Sequence, residues 1–368
     1  MPWTSTITIP TTTTKYAFSS NATSSKTSTF NVGQTGRVFL TLIMLSMIFI
    51  CLFGNLLVCY IVYRRPAMRS GINLLLANLA LSDILLSLFC MPLTLVYLNL
   101  QSESIEESVC QLEAVLFSQF QTEKILLLVV ISVDRYYIIV KRKDNLNTFR
   151  AKCIIIMTWL ASMILSIPPL IGLGKYKYSA FKPQCTLELT DASTKNLVWV
   201  MSFNIIGSFL PCAVMATAYG FILRTVRRNC FRVQNHPPVN PTAMHRKGKL
   251  FIDYSYKRRT FTTISLLSLV YVFCVLPLKV LEIYSVVNGK SVSISASITA
   301  LWLSFGHTAL NPIIYTIRIK KFREACVEII PKSVLTIPKF VPLKTRRRVR
   351  PHALYQVNKQ PSIVTTVI

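Results

Sequence analysis

The chain has 368 residues, 52% of them hydrophobic and only 15% charged, with a mean hydropathy of +0.48, which is too apolar for a soluble protein of this size and places it in a membrane. Its net charge of +27 arises from 41 Lys and Arg against 14 Asp and Glu. In a membrane protein that excess reads as a face apposed to anionic lipid, which excludes nucleic acid as the partner.

Residues 1–37 are polar, lack the apolar core of a cleavable signal, and carry the N-glycosylation sequon Asn21-Ala22-Thr23, so they are expected to form a disordered extracellular tail. Seven apolar runs follow, at about 38–63, 72–97, 111–140, 152–173, 197–223, 261–286 and 293–317, each long enough to span a bilayer. The expected fold is an all-α membrane protein, a seven-transmembrane helix bundle over 38–317. The segments after spans 1, 3, 5 and 7, with Arg135 and Lys152 at the span edges, hold 31 of the 41 basic residues, against 8 in the N-terminus and the segments after spans 2, 4 and 6. The positive-inside rule then puts the N-terminus outside.

Five cysteines, Cys51, Cys59, Cys90, Cys212 and Cys274, lie inside apolar spans and read as small hydrophobes. On this topology only Cys110 and Cys185 are extracellular, so a disulfide between them should pin the loop of residues 174–196 over span 3. From Cys110 to Arg135 is 25 residues, about 37 Å of helix, enough to cross the membrane. Its inner end carries Asp134-Arg135-Tyr136 and the basic stop Lys141-Arg142-Lys143.

Polar and proline residues mark other spans: Asn55 in span 1, Asp83 in span 2, Trp159 and Pro168-Pro169 in span 4, Pro211 and Tyr219 in span 5, Pro277 in span 6, and Asn311-Pro312 with Tyr315 in span 7. Intramembrane polar groups are costly, so contacts inside the bundle are expected. Lys124 lies eleven residues before Arg135, about three turns, at the depth of Asp83, and its ammonium can neutralise that carboxylate. Glu123 is the rival partner, but adjacent helix residues point about 100° apart. After span 7, residues 318–330 read as an amphipathic helix on the membrane surface, with Phe322, Cys326 and Ile329 on one face and Cys326 a palmitoylation candidate. Residues 331–368 form a cytoplasmic tail ending Thr366-Val367-Ile368, a terminus a PDZ domain can add to its sheet edge.

Taken in order, Asn55, Asp83, Asp134-Arg135-Tyr136, Trp159, Pro211, Tyr219, Pro277 and Asn311-Pro312-Ile-Ile-Tyr315 resemble the rhodopsin-like G-protein-coupled receptors. Locally, Ala67-Met-Arg-Ser-Gly-Ile-Asn73, Arg150-Ala-Lys152, Arg259-Thr-Phe-Thr-Thr263 and Arg318-Ile-Lys-Lys-Phe322 resemble the PSP-type orphan subgroup, for which lysophospholipid ligands have been suggested. The resemblance implies a plasma-membrane receptor that catalyses nothing and passes an extracellular or lipid-derived signal to a heterotrimeric G protein. Asp134, Arg135, Tyr136, Tyr219, Asn311, Pro312 and Tyr315 would then form the activation switch, with Tyr219 and Tyr315 meeting through water in the active state.

Departures are equally informative. Val275 stands where the family places Trp, and Lys124 and His307 stand where it places small polar groups beside a sodium ion at Asp83. The start of span 6 reads Lys257-Arg258-Arg259 in place of an acid, so repulsion from Arg135 is expected to raise basal activity. The ligand pocket should draw on Glu113, Phe117, Gln121, Lys279 and Glu282; Phe117 replaces the Asp of amine receptors, and Lys279 is suited to a phosphate or carboxylate head group. The competing class is a transporter or channel using Asp83, Glu123, Lys124 and His307. It lacks repeated halves. An intramembrane enzyme finds no Gly-x-Ser-x-Gly or His-Glu-x-x-His motif.

Overall fold

Runs of apolar residues without helix breakers wind into helices that satisfy their own backbone, the solution a bilayer demands. The computed structural model describes residues 32–100, 106–172, 175–178, 182–188, 194–235, 241–288 and 292–329. Helices α1 (Gln34–Arg64), α2 (Gly71–Leu100), α3 (Glu107–Ile139) and α4 (Thr148–Ser166) form spans 1 to 4. Asn147 caps α4, its side chain accepting from Arg150 N at 2.8 Å. Span 5 comprises α5 (Thr194–Asn204), a π turn over Ile205–Phe209, and α6 (Leu210–Asn235). Pro211 has no N–H and crowds the carbonyl four residues back, and the wider turn just before it relieves that clash. Span 6 is α7 (Pro241–Asn288), which begins well ahead of the expected 261, and span 7 is α8 (Ile294–Arg318), capped by Ser293.

Six of these spans are long and apolar enough to cross a membrane by length and composition. The helix that falls short, α8, carries Ser297, Ser304, His307, Thr308 and Asn311, all buried. Its polarity faces the bundle. Helix α3 is central, packing on α2, α4, α6 and α7. A Cβ placed on Gly54 of α1 would lie 2.5 Å from Pro312 Cγ, so only glycine allows α1 and α8 to approach this closely.

One element was not expected. Strands β1 (Lys175–Tyr178) and β2 (Cys185–Glu188) pair antiparallel, Tyr178 opposite Cys185, and make a hairpin over the outer end of α3. Cys185 is bonded to Cys110, with Cα atoms 5.4 Å apart. The hairpin is thereby tied to the start of span 3 by the disulfide expected between Cys110 and Cys185.

The chain divides into a bundle, 1–327, and a C-terminal stretch, 328–368. After the bundle's seventh span, α9 (Lys320–Ile329) is the short eighth helix. Within it Phe322, Ala325 and Cys326 are buried in the same cluster as Val58, Leu75 and Tyr315. Cys326 was expected to face lipid; it is only 6% exposed, and the stripe it shares with Phe322 packs on the bundle instead. That orientation removes the accessible thiol palmitoylation needs. Asn21, the residue 331–368 tail and its Thr366–Ile368 terminus lie outside the described residues, as do the side chains of Lys257, Arg258 and Arg259.

Candidate functional site

Midway through the bundle the polar residues of four spans converge. Asp83 and Lys124 are both fully buried, and Lys124 Nζ lies 3.4 Å from Asp83 Oδ1. The two make an ion pair without the alignment of a hydrogen bond, so each keeps unfilled bonding capacity. Asp83 Oδ2 accepts from Asn311 Nδ2 at 2.6 Å, and Asn311 Nδ2 lies 3.4 Å from His307 Nε2. Asn55 ties α1 to α8 by donating to Thr308 O at 3.3 Å. A sodium ion does not fit this arrangement, because the carboxylate that would hold it already faces an ammonium.

Glu123, one residue earlier, points elsewhere. Its carboxylate accepts from Asn78 Nδ2 at 3.0 Å, Thr158 Oγ1 at 2.9 Å and Ser162 Oγ at 3.4 Å, between α2 and α4. Trp159 Nε1 donates to Asn78 Oδ1 at 3.2 Å and closes that network. The angular offset of neighbouring helix residues thus turns Glu123 away from Lys124 and its partner Asp83.

Above the core, Gln121 Nε2 donates to Ser304 Oγ at 2.5 Å and Phe117 meets Phe305 edge-on at 5.7 Å. Tyr271 donates to Gln121 O at 3.2 Å and stands edge-on to His307 at 5.1 Å. Val275 is buried in the cluster that includes Tyr271. Glu113, fully buried, accepts from the backbone N–H of Cys185 at 3.2 Å. It therefore anchors the hairpin. Nearby, Glu282 accepts from Lys279 at 2.9 Å and from Lys182 of the hairpin connection at 3.4 Å.

At the inner end Asp134 accepts from Arg135 Nε at 3.1 Å and also takes its terminal guanidinium nitrogen. Tyr136 packs edge-on to Phe221 at 6.0 Å. Tyr219 Oη sits 2.6 Å from both Ser132 Oγ and Ser268 Oγ, bridging α3 and α7. Tyr315 stacks on Phe322 at 5.9 Å, and its buried hydroxyl has no hydrogen-bond partner among the described residues. The two tyrosines expected to meet have separate neighbours, Tyr219 the two serines and Tyr315 the ring of Phe322.

Lys182, Tyr271, Ser304, Ser132 and Ser268 escaped the sequence reading, as did Thr158 and Ser162 on Glu123. The only signal for Tyr271 was a hydroxyl within the apolar run of span 6; Lys182 sits in a loop where no periodicity assigns direction.

Residues 54–315 match the family model described as 7 transmembrane receptor (rhodopsin family). A high-affinity lysophosphatidic acid receptor from Xenopus laevis is 41% identical over 89% of this chain and 91% of its own. G-protein coupled receptor 45 from Homo sapiens is 40% identical over the same shares. The crystal structure of squid rhodopsin superposes with a TM-score of 0.73 at 21% identity, covering 85% of this chain and 90% of that one, a likeness of fold.

Proposed function

The chain belongs to the rhodopsin family of seven-transmembrane receptors, and on that premise we propose that it is a plasma-membrane receptor, N-terminus outside, that activates a heterotrimeric G protein in response to an anionic lysophospholipid. Membership in a receptor family leaves the transporter reading without support. The observation that carries the ligand class is the pair of buried lysines, Lys182 and Lys279, gathered on Glu282 beside the disulfide-tied hairpin. A relative that binds lysophosphatidic acid at 41% identity points the same way.

In this reading ligand binding on the outer half frees Tyr219 from Ser132 and Ser268 and Arg135 from Asp134, so that the guanidinium offers its donors to a G-protein helix C-terminus. The basic start of span 6 lowers the barrier to that opening and gives the unliganded receptor basal activity. Asn21 carries glycan, and the C-terminus is open to a PDZ partner. The test is nucleotide exchange by purified G proteins of several subtypes with receptor in lipid nanodiscs. Lysophosphatidic acid should raise turnover above the basal rate; no response to any lysophospholipid by receptor shown to be folded would overturn the ligand assignment.

A further inference from the structure

Lys182, Lys279 and Glu282 form a group in which two ammoniums share one carboxylate. Lys182 comes from the hairpin connection and Lys279 and Glu282 from α7, and the two ammoniums grip opposite oxygens of the single carboxylate, Oε1 at 3.4 Å and Oε2 at 2.9 Å. Among the described residues Glu282 is the only carboxylate in ion-pair contact with either lysine. Glu113, the other acid near the hairpin, accepts from the backbone N–H of Cys185 and acts on Lys182 only at longer range, outside ion-pair contact. By ion-pair contact the group therefore sets two ammoniums against one carboxylate in a largely desolvated place, an arrangement that a further anion would strengthen.

The three side chains are not equally confined. Those of Lys182 and Lys279 are 9% and 10% exposed, that of Glu282 is 23% exposed. Lys279 is also held over the ring of Phe203, with Nζ 5.7 Å from the centroid. The lysines are walled in, and the carboxylate is the least confined of the three. A phosphate monoester carries close to two negative charges at neutral pH with three acceptor oxygens. Set between two ammoniums it completes their charge where one carboxylate leaves half unanswered.

We propose that Lys182 and Lys279 form the phosphomonoester subsite of this receptor, and that Glu282 is its built-in occupant, displaced toward water when the head group arrives. This deepens the lysophospholipid reading, on which it rests for the identity of the natural ligand, by naming the head group and a competitor encoded in the chain. Three consequences follow from the charge count. Phosphate monoesters are preferred to diesters, which carry one charge, and to neutral lipids. Removing the charge of Glu282 tightens binding. Removing either lysine weakens it.

The experiment measures binding to purified full-length receptor in nanodiscs of neutral lipid, with oleoyl lysophosphatidic acid, oleoyl lysophosphatidylcholine and monooleoylglycerol as probes. Lys182→Gln and Lys279→Gln should each weaken lysophosphatidic acid about tenfold or more, Lys279→Arg should retain it, and Glu282→Gln should tighten it several-fold, with monooleoylglycerol unmoved. Equal affinity of lysophosphatidic acid for wild type and both lysine variants overturns the subsite. A second arm is independent of lipid: inorganic phosphate should raise the Tm of Glu282→Gln and leave that of Lys182→Gln/Glu282→Gln unchanged. If wild type binds no lysolipid, the ligand class falls while this phosphate arm still decides the subsite; no phosphate-dependent rise in Glu282→Gln overturns it.

Discussion

Lys124 and Lys279 each face a carboxylate, one in the middle of the bundle and the other beneath the outer hairpin. Lys124 and Asp83 are sealed, with no exposed side-chain surface on either. Lys279 shares Glu282 with Lys182, and that carboxylate is partly exposed. The same chemistry therefore serves two ends. A sealed pair has no replacement for a lost partner, so it fixes α2 against α3; an open pair can exchange its anion, so it can recognise one. Burial, more than the identity of the residues, separates the roles.

The comparison breaks most sharply at Lys124. Lys124→Met strands Asp83 without a cation and should cost about 3–5 kcal/mol, read as a fall in the Tm of the purified receptor, and Asp83→Asn/Lys124→Met should recover most of it. A single variant as stable as wild type would mean that the pair carries no weight. The same pair predicts that sodium leaves basal turnover unchanged beyond what a large organic cation does, while Lys124→Ser creates a sodium-specific response. A sodium effect in wild type that Asp83→Asn abolishes would refute the internal pair.

Next in size is the hydroxyl bridge of Tyr219. Tyr219→Phe removes the contacts with Ser132 and Ser268 and should cost about 1–2 kcal/mol in thermal stability. Asp134→Asn removes the negative charge that holds Arg135, and about 1 kcal/mol released there should raise basal nucleotide exchange roughly fivefold. Basal turnover at the wild-type rate, at equal surface density, would show that Asp134 does not restrain Arg135. The last test sharpens the contrast: Glu282→Gln leaves Lys182 and Lys279 without their shared carboxylate and should lower the Tm, and added inorganic phosphate should recover part of the loss, whereas no added anion should rescue Lys124→Met.

Much of this was legible in the chain. Helix arithmetic placed Lys124 at the depth of Asp83 and turned Glu123 away, because both depend only on rise and angle per residue. Topology found the disulfide. Lys182 and the hairpin were not legible, since a loop has no period and its register is set by pairing across β1 and β2. For Cys326 the sequence grouped it correctly with Phe322 but could not tell whether that stripe met lipid or the bundle, as both are apolar. Tyr219 and Tyr315 were matched by position, whereas their partners depend on which state the bundle occupies.

The π turn at Ile205–Phe209 has a consequence for chain length. It holds one residue more than an α turn would, so the outer part of span 5 is rotated relative to the inner part, and Phe203 owes its place against Lys279 to that extra residue. Deleting a single residue there would let the helix run regularly and swing Phe203 about 100° around the axis, while Tyr219, on the inner side, kept its bearing on Ser132 and Ser268. The turn thus acts as a phase shifter between the two ends of one helix: the length of the chain through it sets the orientation of the outer face independently of the inner one.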